Sequence, residues 1–177
     1  GGGTGRRARS GGRAYGRKMP KVKGPAPQHM ERTEEFDAFG PWVLPVSDAE
    51  GVPRLFRPHA GDPATAEIML KVPRKISRRD ANPAMDLYDH LLLVRDGTVV
   101  LLSRAPGERG GVRKRSLGAA ELLAIEESVN LLDGRLLLYT REGPALRVAF
   151  NGASRDTVRG FVDVVRTSLG GELVRCT

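Results

Sequence analysis

The sequence is poor in the residues that build covalent and metal centres. Its single cysteine, Cys176, excludes an internal disulfide and fits a reducing compartment. The three histidines, His29, His59 and His90, are isolated from one another, and no Cys/His spacing resembles a zinc site. The sequence therefore predicts neither a disulfide framework nor a bound metal.

Long apolar runs and catalytic signatures are missing as well. No apolar run approaches the roughly 18 residues that span a bilayer, and no signal-peptide core is visible. There is no G-x-S-x-G nucleophile motif, and the glycine-rich start neither follows a strand nor opens a helix, as a phosphate-binding loop would. We therefore expect a cytoplasmic protein that has no enzymatic activity and no cofactor.

The net charge of +8 belongs to one end of the chain. Of the 29 Lys and Arg, eight lie in residues 1–30, which hold no acid, and the other 21 balance the 21 Asp and Glu. Residues 1–30 are rich in glycine and have almost nothing to bury, so they are predicted to form a disordered basic tail. If the tail is native, it favours a nucleic-acid partner. The alternative is that part of it is not native, with the start at Met19 or Met30 rather than Gly1.

Residues 31–65 carry aromatic and aliphatic side chains between prolines. The proline spacing predicts that this segment forms no helix and, at most, an edge strand. We expect an extended segment whose aromatic side chains pin it across a domain. For Trp42, structural packing is favoured over a role in a ligand pocket, since large aromatics dominate core burial. The prolines are Pro41, Pro45, Pro53 and Pro58.

The strongest local signal lies in residues 86–104, where two apolar runs flank Asp96-Gly97. An Asp-Gly pair between short apolar runs is typical of a type I′ hairpin turn, because both central residues need a positive φ. Four consecutive apolar residues on each arm indicate that both faces of the hairpin are covered. The predicted register pairs Arg95 with Thr98, Val94 with Val99, Leu92 with Leu101, His90 with Ser103, and Asp89 with Arg104.

Further strands are predicted from shorter patterns of alternation. Residues 119–129 are ambiguous, because their propensity favours a helix while their alternation also permits a strand. A second Asp-Gly pair, Asp133-Gly134, is predicted to form a turn. The remaining predicted strands are residues 66–72, with one face buried, and residues 112–117, 135–140 and 145–150.

The clearest predicted helix covers residues 154–169. Ser154 at its start is a favourable N-cap. Arg159 and Asp163 are predicted to pair at i, i+4 on the outer face. One apolar stripe is predicted to face the core, and its members are Val158, Phe161, Val162, Val165 and Leu169.

The order of these elements over residues 66–170 resembles the pleckstrin-homology-like (PH-like) domains of bacterial proteins. Residues 122–169 carry the resemblance best, with a strand, a glycine before the next strand, a short hairpin and a capped helix. The resemblance implies a mainly β fold, in which a bent antiparallel sheet forms a partly open barrel and the C-terminal helix plugs one end. It also implies a strand at residues 122–129 and leaves residues 171–177 as a C-terminal tail.

Two basic clusters are candidate anion-binding sites. Some pleckstrin-homology domains bind phosphoinositide headgroups through basic residues in an early loop between strands, so the resemblance implies this role for the first cluster. Guanidinium and ammonium groups suit it. The alternative is a solvated surface balanced by acids such as Asp80 and Asp86. The first cluster is Lys71, Arg74, Lys75, Arg78 and Arg79, and the second is Arg109, Arg113, Lys114 and Arg115.

The leading functional hypothesis is a PH-like interaction module that binds a protein or peptide partner. Small antiparallel barrels leave open edges, to which an extended peptide can pair through its backbone. One alternative is peripheral binding to an anionic surface at the inner face of the membrane, through the two basic clusters. The other is a nucleic-acid or ribonucleoprotein subunit that uses the basic tail. Convergence of the two clusters on one face would favour the membrane.

Overall fold

The computed structural model describes residues 32–106, 111–169 and 174–176, the last of these by backbone alone. The predicted basic tail, residues 1–30, and Arg109 lie outside the described residues. The strands are β1 (Leu44–Pro45), β2 (Ile68–Pro73), β3 (Tyr88–Arg95), β4 (Thr98–Arg104), β5 (Val112–Gly118), β6 (Ala124–Asn130), β7 (Asp133–Thr140), β8 (Gly143–Asn151) and β9 (Val174–Cys176). The α-helices are α1 (Glu34–Ala38), α2 (Arg57–Ala60) and α3 (Arg155–Ser168), and single 3₁₀ turns cover Pro63–Thr65 and Gly152–Ser154.

The strands form two sheets that do not close into a barrel. The first sheet is antiparallel, with the order β1-β2-β3-β4-β5. In the second sheet β8, β7 and β6 are antiparallel, and β9 adds to β6 in parallel. Within the described chain, no strand of one sheet pairs with a strand of the other. This confirms the predicted fold class, a mainly β protein with an open antiparallel assembly and a C-terminal helix.

The central hairpin, β3 and β4, forms as predicted. Asp96 and Gly97 have φ values of 50° and 66°, and the register pairs Leu92 with Leu101. Residues 91–94 are all buried, so both faces of β3 are covered. The turn chemistry and the apolar runs were therefore sufficient to predict this hairpin and its register.

The main core lies between the two sheets and α3. The predicted apolar stripe of α3 is buried there in full, against inward-facing residues of β2 to β8. Because the stripe contacts both sheets, α3 joins two sheets whose strands do not pair with each other within the described residues. The stripe residues are Val158, Phe161, Val162, Val165 and Leu169.

A second core covers the opposite face of the first sheet. There the segment before β2 packs against the outward-facing residues of β2, β3 and β4. For this reason β2 is buried on both faces, and the prediction of a half-buried strand is wrong. The segment contributes Phe39, Val46, Val52, Phe56 and Ala60, and the sheet contributes Met69, Leu91, Leu93 and Leu102.

The segment of residues 31–65 differs from the predicted extended chain. Thr33 caps α1, which ends before Pro41, and Pro58 lies in the first turn of α2, where a missing N–H costs nothing. The prediction that prolines exclude helices here is therefore wrong. Trp42 also departs from its predicted packing role, since 53% of it remains exposed.

The start of α3 also differs from the prediction. Ser154 does not cap the helix, because its Oγ accepts a hydrogen bond from the amide of Val43 at 2.9 Å. Arg159 does not pair with Asp163 as predicted, since its Nε lies 3.5 Å from Glu127 Oε2 on β6. The side chains of Ser154 and Arg159 thus connect α3, or the turn before it, to distant parts of the chain. A pattern that spans a few residues does not predict such contacts.

The second predicted turn is misplaced by two residues. The turn is formed by Leu131 and Leu132, with a φ of 55° at Leu131, and β7 already begins at Asp133. Gly134 is a strand residue opposite Phe150, and a Cβ at this position would lie within 2.7 Å of ring atoms of Phe150. Glycine is present here because the ring of Phe150 leaves no room for a side chain, and not because the residue forms a turn.

We predict that Gly134→Ala destabilises the protein by about 1–3 kcal/mol, because a new methyl group must displace a buried aromatic ring. Thermal or urea unfolding measures the difference. Gly160→Ala is the matched control: nothing lies within 4 Å of a Cβ there, and alanine in a helix interior stabilises by up to about 1 kcal/mol. Equal stability of Gly134→Ala and wild type would contradict the tight packing of β7 on β8.

Candidate functional site

The β2–β3 loop, which carries most of the first basic cluster, and the start of β5, which carries the described part of the second, lie at the same end of the first sheet. Because β2 to β5 are antiparallel neighbours, the end of β2 and the start of β5 point to one side. However, β3 and β4 lie between them, and at about 4.8 Å a strand this separates the clusters by about 14 Å. The clusters share an end of the sheet without forming one compact anion site.

Three residues of the first cluster donate hydrogen bonds to backbone carbonyls of the protein. Lys71 is buried, its Nζ donates to the carbonyl oxygen of Gly51 at 3.1 Å, and burial lowers its pKa. Arg74 donates to a backbone carbonyl of the same loop, and Arg78 donates to the carbonyl of Phe39 at 2.6 Å. These side chains hold the β2–β3 loop and the N-terminal segment on the domain.

Within the described residues, the other two cations of the first cluster make no hydrogen bond to a backbone carbonyl. Lys75 Nζ lies 3.5 Å from Asp133 Oδ1, an exposed pair that contributes little to stability. Arg79 is exposed and has no ion-pair partner among the described residues. The β2–β3 loop therefore has limited capacity to bind an anion.

The described members of the second cluster lie on β5, an edge strand of the first sheet. Arg113, Lys114 and Arg115 are all exposed, and within the described residues none of them has an ion pair or side-chain hydrogen bond. Since successive side chains of a strand alternate between its faces, Lys114 projects to one side and the two arginines to the other. The edge is thus positively charged on both faces.

The pairing of β4 with β5 determines which residues of β5 direct their backbone N–H and C=O groups toward β4. In an antiparallel pair, residues that exchange two hydrogen bonds alternate with residues whose polar groups point away from the partner. The amide of Ala105 donates to the carbonyl of Gly111 at 2.9 Å, and the register continues from there without a shift. In steps of two, the bonded positions on β5 are Arg113, Arg115 and Leu117.

The other positions of β5 point their backbone N–H and C=O groups away from β4. Gly118 supports this phase, because its amide donates to Glu121 Oε2 at 2.9 Å and its carbonyl accepts from the amide of Glu121. No described residue pairs with the outward groups of Val112, Lys114 or Ser116. Among the described residues, the edge of β5 therefore presents three unpaired N–H and three unpaired C=O groups.

An open groove adjoins the end of this edge. It has a volume of about 640 Å³ and is lined by residues 115–117, 120–121 and 140–145. The groove separates β5 from the turn between β7 and β8. It leaves room beside the second half of β5 for another segment of extended chain.

Large exposed apolar side chains gather at a different place, around the turn between β6 and β7. Leu131 and Leu132 are 89% and 68% exposed, and Trp42 is 53% exposed. The amide of Gly152 donates to the carbonyl of Leu132, and the residue after Trp42 donates to Ser154. These contacts bring Trp42 and the two leucines to one end of the second sheet.

A histidine–serine pair lies between β3 and β4. His90 Nδ1 and Ser103 Oγ are 2.8 Å apart, as the predicted register requires. Asp89, the neighbour of His90, projects to the opposite face and binds Arg104 at 2.9 Å, so it does not orient the imidazole. Burial lowers the pKa of His90; the negative charge of Asp89 opposes this shift in part, and the positive charges of Arg104 and Arg113 add to it.

We predict that His90 makes the protein less stable below neutral pH. Because the folded-state pKa of His90 lies below its value of 6.5 in an unfolded chain, protons bind the unfolded state more readily, and stability falls as the pH drops through 6.5. Melting temperatures of wild type and His90→Gln at pH 7 and pH 5 test this. The wild type should lose more stability than the variant, and His59→Gln, at an exposed position, should behave like wild type. Equal losses in all three proteins would contradict the burial of His90.

The described residues contain no cluster of three or more His, Cys, Asp or Glu that could hold a metal ion. None of their helices is long and apolar enough to cross a membrane. No family model, no curated protein and no solved structure matches the chain.

In the sequence, the positive charge of β5 was the one feature that indicated a candidate site on this strand. The run Arg113-Lys114-Arg115 marks the strand as unusual, but the sequence does not report that β5 is an edge or that its outward groups are free. The exposed Leu131 and Leu132 were missed because the Asp-Gly pair beside them was assigned to the turn.

Proposed function

We propose that the protein is a PH-like interaction module, without enzymatic activity, that binds an extended segment of a partner protein along β5. The observation that supports this proposal best is the free edge of that strand, with the outward N–H and C=O groups of Val112, Lys114 and Ser116 unpaired in the described chain. A partner strand would satisfy these groups and continue the first sheet by one strand.

Two further features support strand addition at this edge. The groove beside residues 115–117 leaves space for the added chain. The second sheet also carries a short strand from another part of this chain, since β9 pairs with β6. Within this fold, an edge of the second sheet thus already pairs with an additional strand. The proposed site of action is the cytoplasm.

The proposal is tested by selecting from a display library of random heptapeptides on the full chain and on the variant Ser116→Pro. Proline removes one outward N–H without touching the bonds between β5 and β4, and edge strands tolerate it. Peptides selected on wild type should bind Ser116→Pro about tenfold more weakly, and bind the control Ser116→Thr unchanged. Selected peptides that bind Ser116→Pro as well as wild type would contradict strand addition on β5.

A second candidate function is peripheral binding to an anionic membrane, which the exposed side chains of Trp42, Leu131 and Leu132 favour. Apolar side chains at the tip of a hairpin can enter the headgroup region, and Lys75 and Arg79 would attract anionic lipids. We expect little binding of a chain that begins at Met30 to phosphatidylserine vesicles at physiological salt, because without the basic tail the 21 Lys and Arg balance the 21 Asp and Glu. Strong co-sedimentation that is lost on the double substitution Leu131→Asn and Leu132→Ser would establish this function instead.

A further inference from the structure

We propose that the segment bound by β5 is acidic, with three consecutive Asp or Glu residues opposite Arg113, Lys114 and Arg115. This inference rests on the proposed function, because it uses the same edge, and it adds the chemistry of the partner. The recognition element is an extended peptide whose backbone pairs with β5 and whose carboxylates face the three cations.

The first support is that the three cations of this strand have no ion pair among the described residues. Some other cations are paired with acids: Arg104 on β4 binds Asp89, while Arg155 and Arg159 on α3 both lie near Glu127. Among the described residues, exposed arginines without an ion pair also occur singly on β7 and β8, but only β5 carries three cations in succession. The three cations of β5 have no such partner among the described residues, although all three project from one strand. Three like charges on successive residues repel one another, and an acidic strand would relieve that repulsion.

The second support is the geometry of strand pairing. Side chains directly opposite each other on neighbouring strands lie about 4.5–5.5 Å apart at Cβ, and opposite charges there stabilise the pair. Because Lys114 projects to one face and Arg113 and Arg115 to the other, an added strand meets a cation at each of three consecutive positions. The flanking positions lie opposite Val112 and Ser116, where β-branched residues suit a strand.

The same charges select against other occupants of the edge. A second copy of this chain would bring three cations against three cations, which is how edge strands avoid self-association. A bilayer is a flat surface that reaches one side of a strand, whereas these cations project to both faces of β5. An acidic extended peptide is the occupant that reaches all of them.

The test measures the affinity of three synthetic heptapeptides for the full chain. The acidic peptide has three central glutamates flanked by threonine and valine on each side, and the basic peptide has lysines in place of the glutamates. The proline peptide keeps the three glutamates but replaces both threonines with proline, so that its charge is unchanged while its capacity for strand pairing is reduced. We expect the acidic peptide to bind, the proline peptide to bind about tenfold more weakly, and the basic peptide not to bind.

Two variants localise the interaction. Replacement of Arg113, Lys114 and Arg115 by serine should weaken the acidic peptide at least about tenfold, since charged pairs across an interface govern both rate and affinity. The control replaces three exposed arginines elsewhere by serine, which removes the same net charge and should change the affinity less than about twofold. The control positions are Arg79, Arg135 and Arg147.

The outcomes separate this inference from the proposed function. If the basic peptide, or peptides from the random library without acids, bind in a manner sensitive to Ser116→Pro, then the inference is wrong and the proposed function stands. If the proline peptide binds as tightly as the acidic one, charge attraction alone acts and strand addition is contradicted. If no peptide binds, the inference and the proposed function are both wrong. If, in addition, phosphatidylserine vesicles bind through the three cations, a membrane is the partner.

Discussion

Phe161→Asp is expected to abolish cooperative folding. Phe161 is completely buried at the centre of the α3 stripe, where it contacts the core shared by both sheets. Truncating a buried Phe costs about 3–5 kcal/mol by itself, and an unpaired buried carboxylate adds to that cost. Domains of this size have only about 5–15 kcal/mol of stability. Circular dichroism and thermal unfolding should show no native transition.

The matched control is Thr167→Asp, which places the same carboxylate at an exposed position of α3. A negative charge near a helix C-terminus costs about 0.3–1 kcal/mol, so this variant should unfold cooperatively, slightly below wild type. A soluble Phe161→Asp protein with a cooperative transition near that of wild type would contradict the placement of α3 between the two sheets.

Removal of residues 32–65 together with the tail is expected to leave the domain insoluble or partly unfolded. The segment covers the outer face of the first sheet, where Leu91, Leu93 and Leu102 are almost fully buried. Each fully buried Leu loses about 1.5–3 kcal/mol when its cover is removed. Binding of an apolar dye, solubility and thermal unfolding measure the effect.

A chain that begins at Met30 is the control, because it keeps the segment before β2 and lacks only the predicted basic tail. It should melt like the full chain, with a near-zero net charge and no non-specific binding to nucleic acid. If the chain that begins at residue 66 also melted like the full chain, the segment would be a dispensable appendage rather than one layer of the fold.

Local signals in the sequence were sufficient for the elements that depend on neighbouring residues. Asp96-Gly97 and the apolar runs beside it predicted the central hairpin and its register, and the spacing of Phe161 and Val165 predicted the buried face of α3. Turn chemistry and helical periodicity act within a few residues, so one sequence is enough to read them.

Features that depend on tertiary packing were not predicted. Gly134 was assigned to a turn because it follows Asp133. In the structure it lies in a strand, where the absence of a side chain leaves room for the ring of Phe150 on the next strand. Likewise, Pro58 was taken to exclude a helix, although the first turn of α2 accommodates it. Such residues carry the same local pattern in either role, and only the packing distinguishes the two.

The sequence predicted only part of the candidate site. The basic residues of β5 were identified, but so were those of the β2–β3 loop, and the sequence did not separate exposed cations from engaged ones. Burial of Lys71 and the hydrogen bonds of Arg78 to backbone carbonyls are tertiary contacts. The free edge depends on which strands pair, and strand order is a non-local property of the fold.

Amide hydrogen exchange along β5 tests strand addition most directly. In the free protein the amides of Lys114 and Ser116 should exchange rapidly, and those of Arg113 and Arg115, which bond to β4, should exchange slowly. On addition of the acidic heptapeptide, Lys114 and Ser116 should become protected, while Arg113 and Arg115 remain slow. Binding of that peptide with no added protection at Lys114 and Ser116 would contradict the addition of a partner strand to β5.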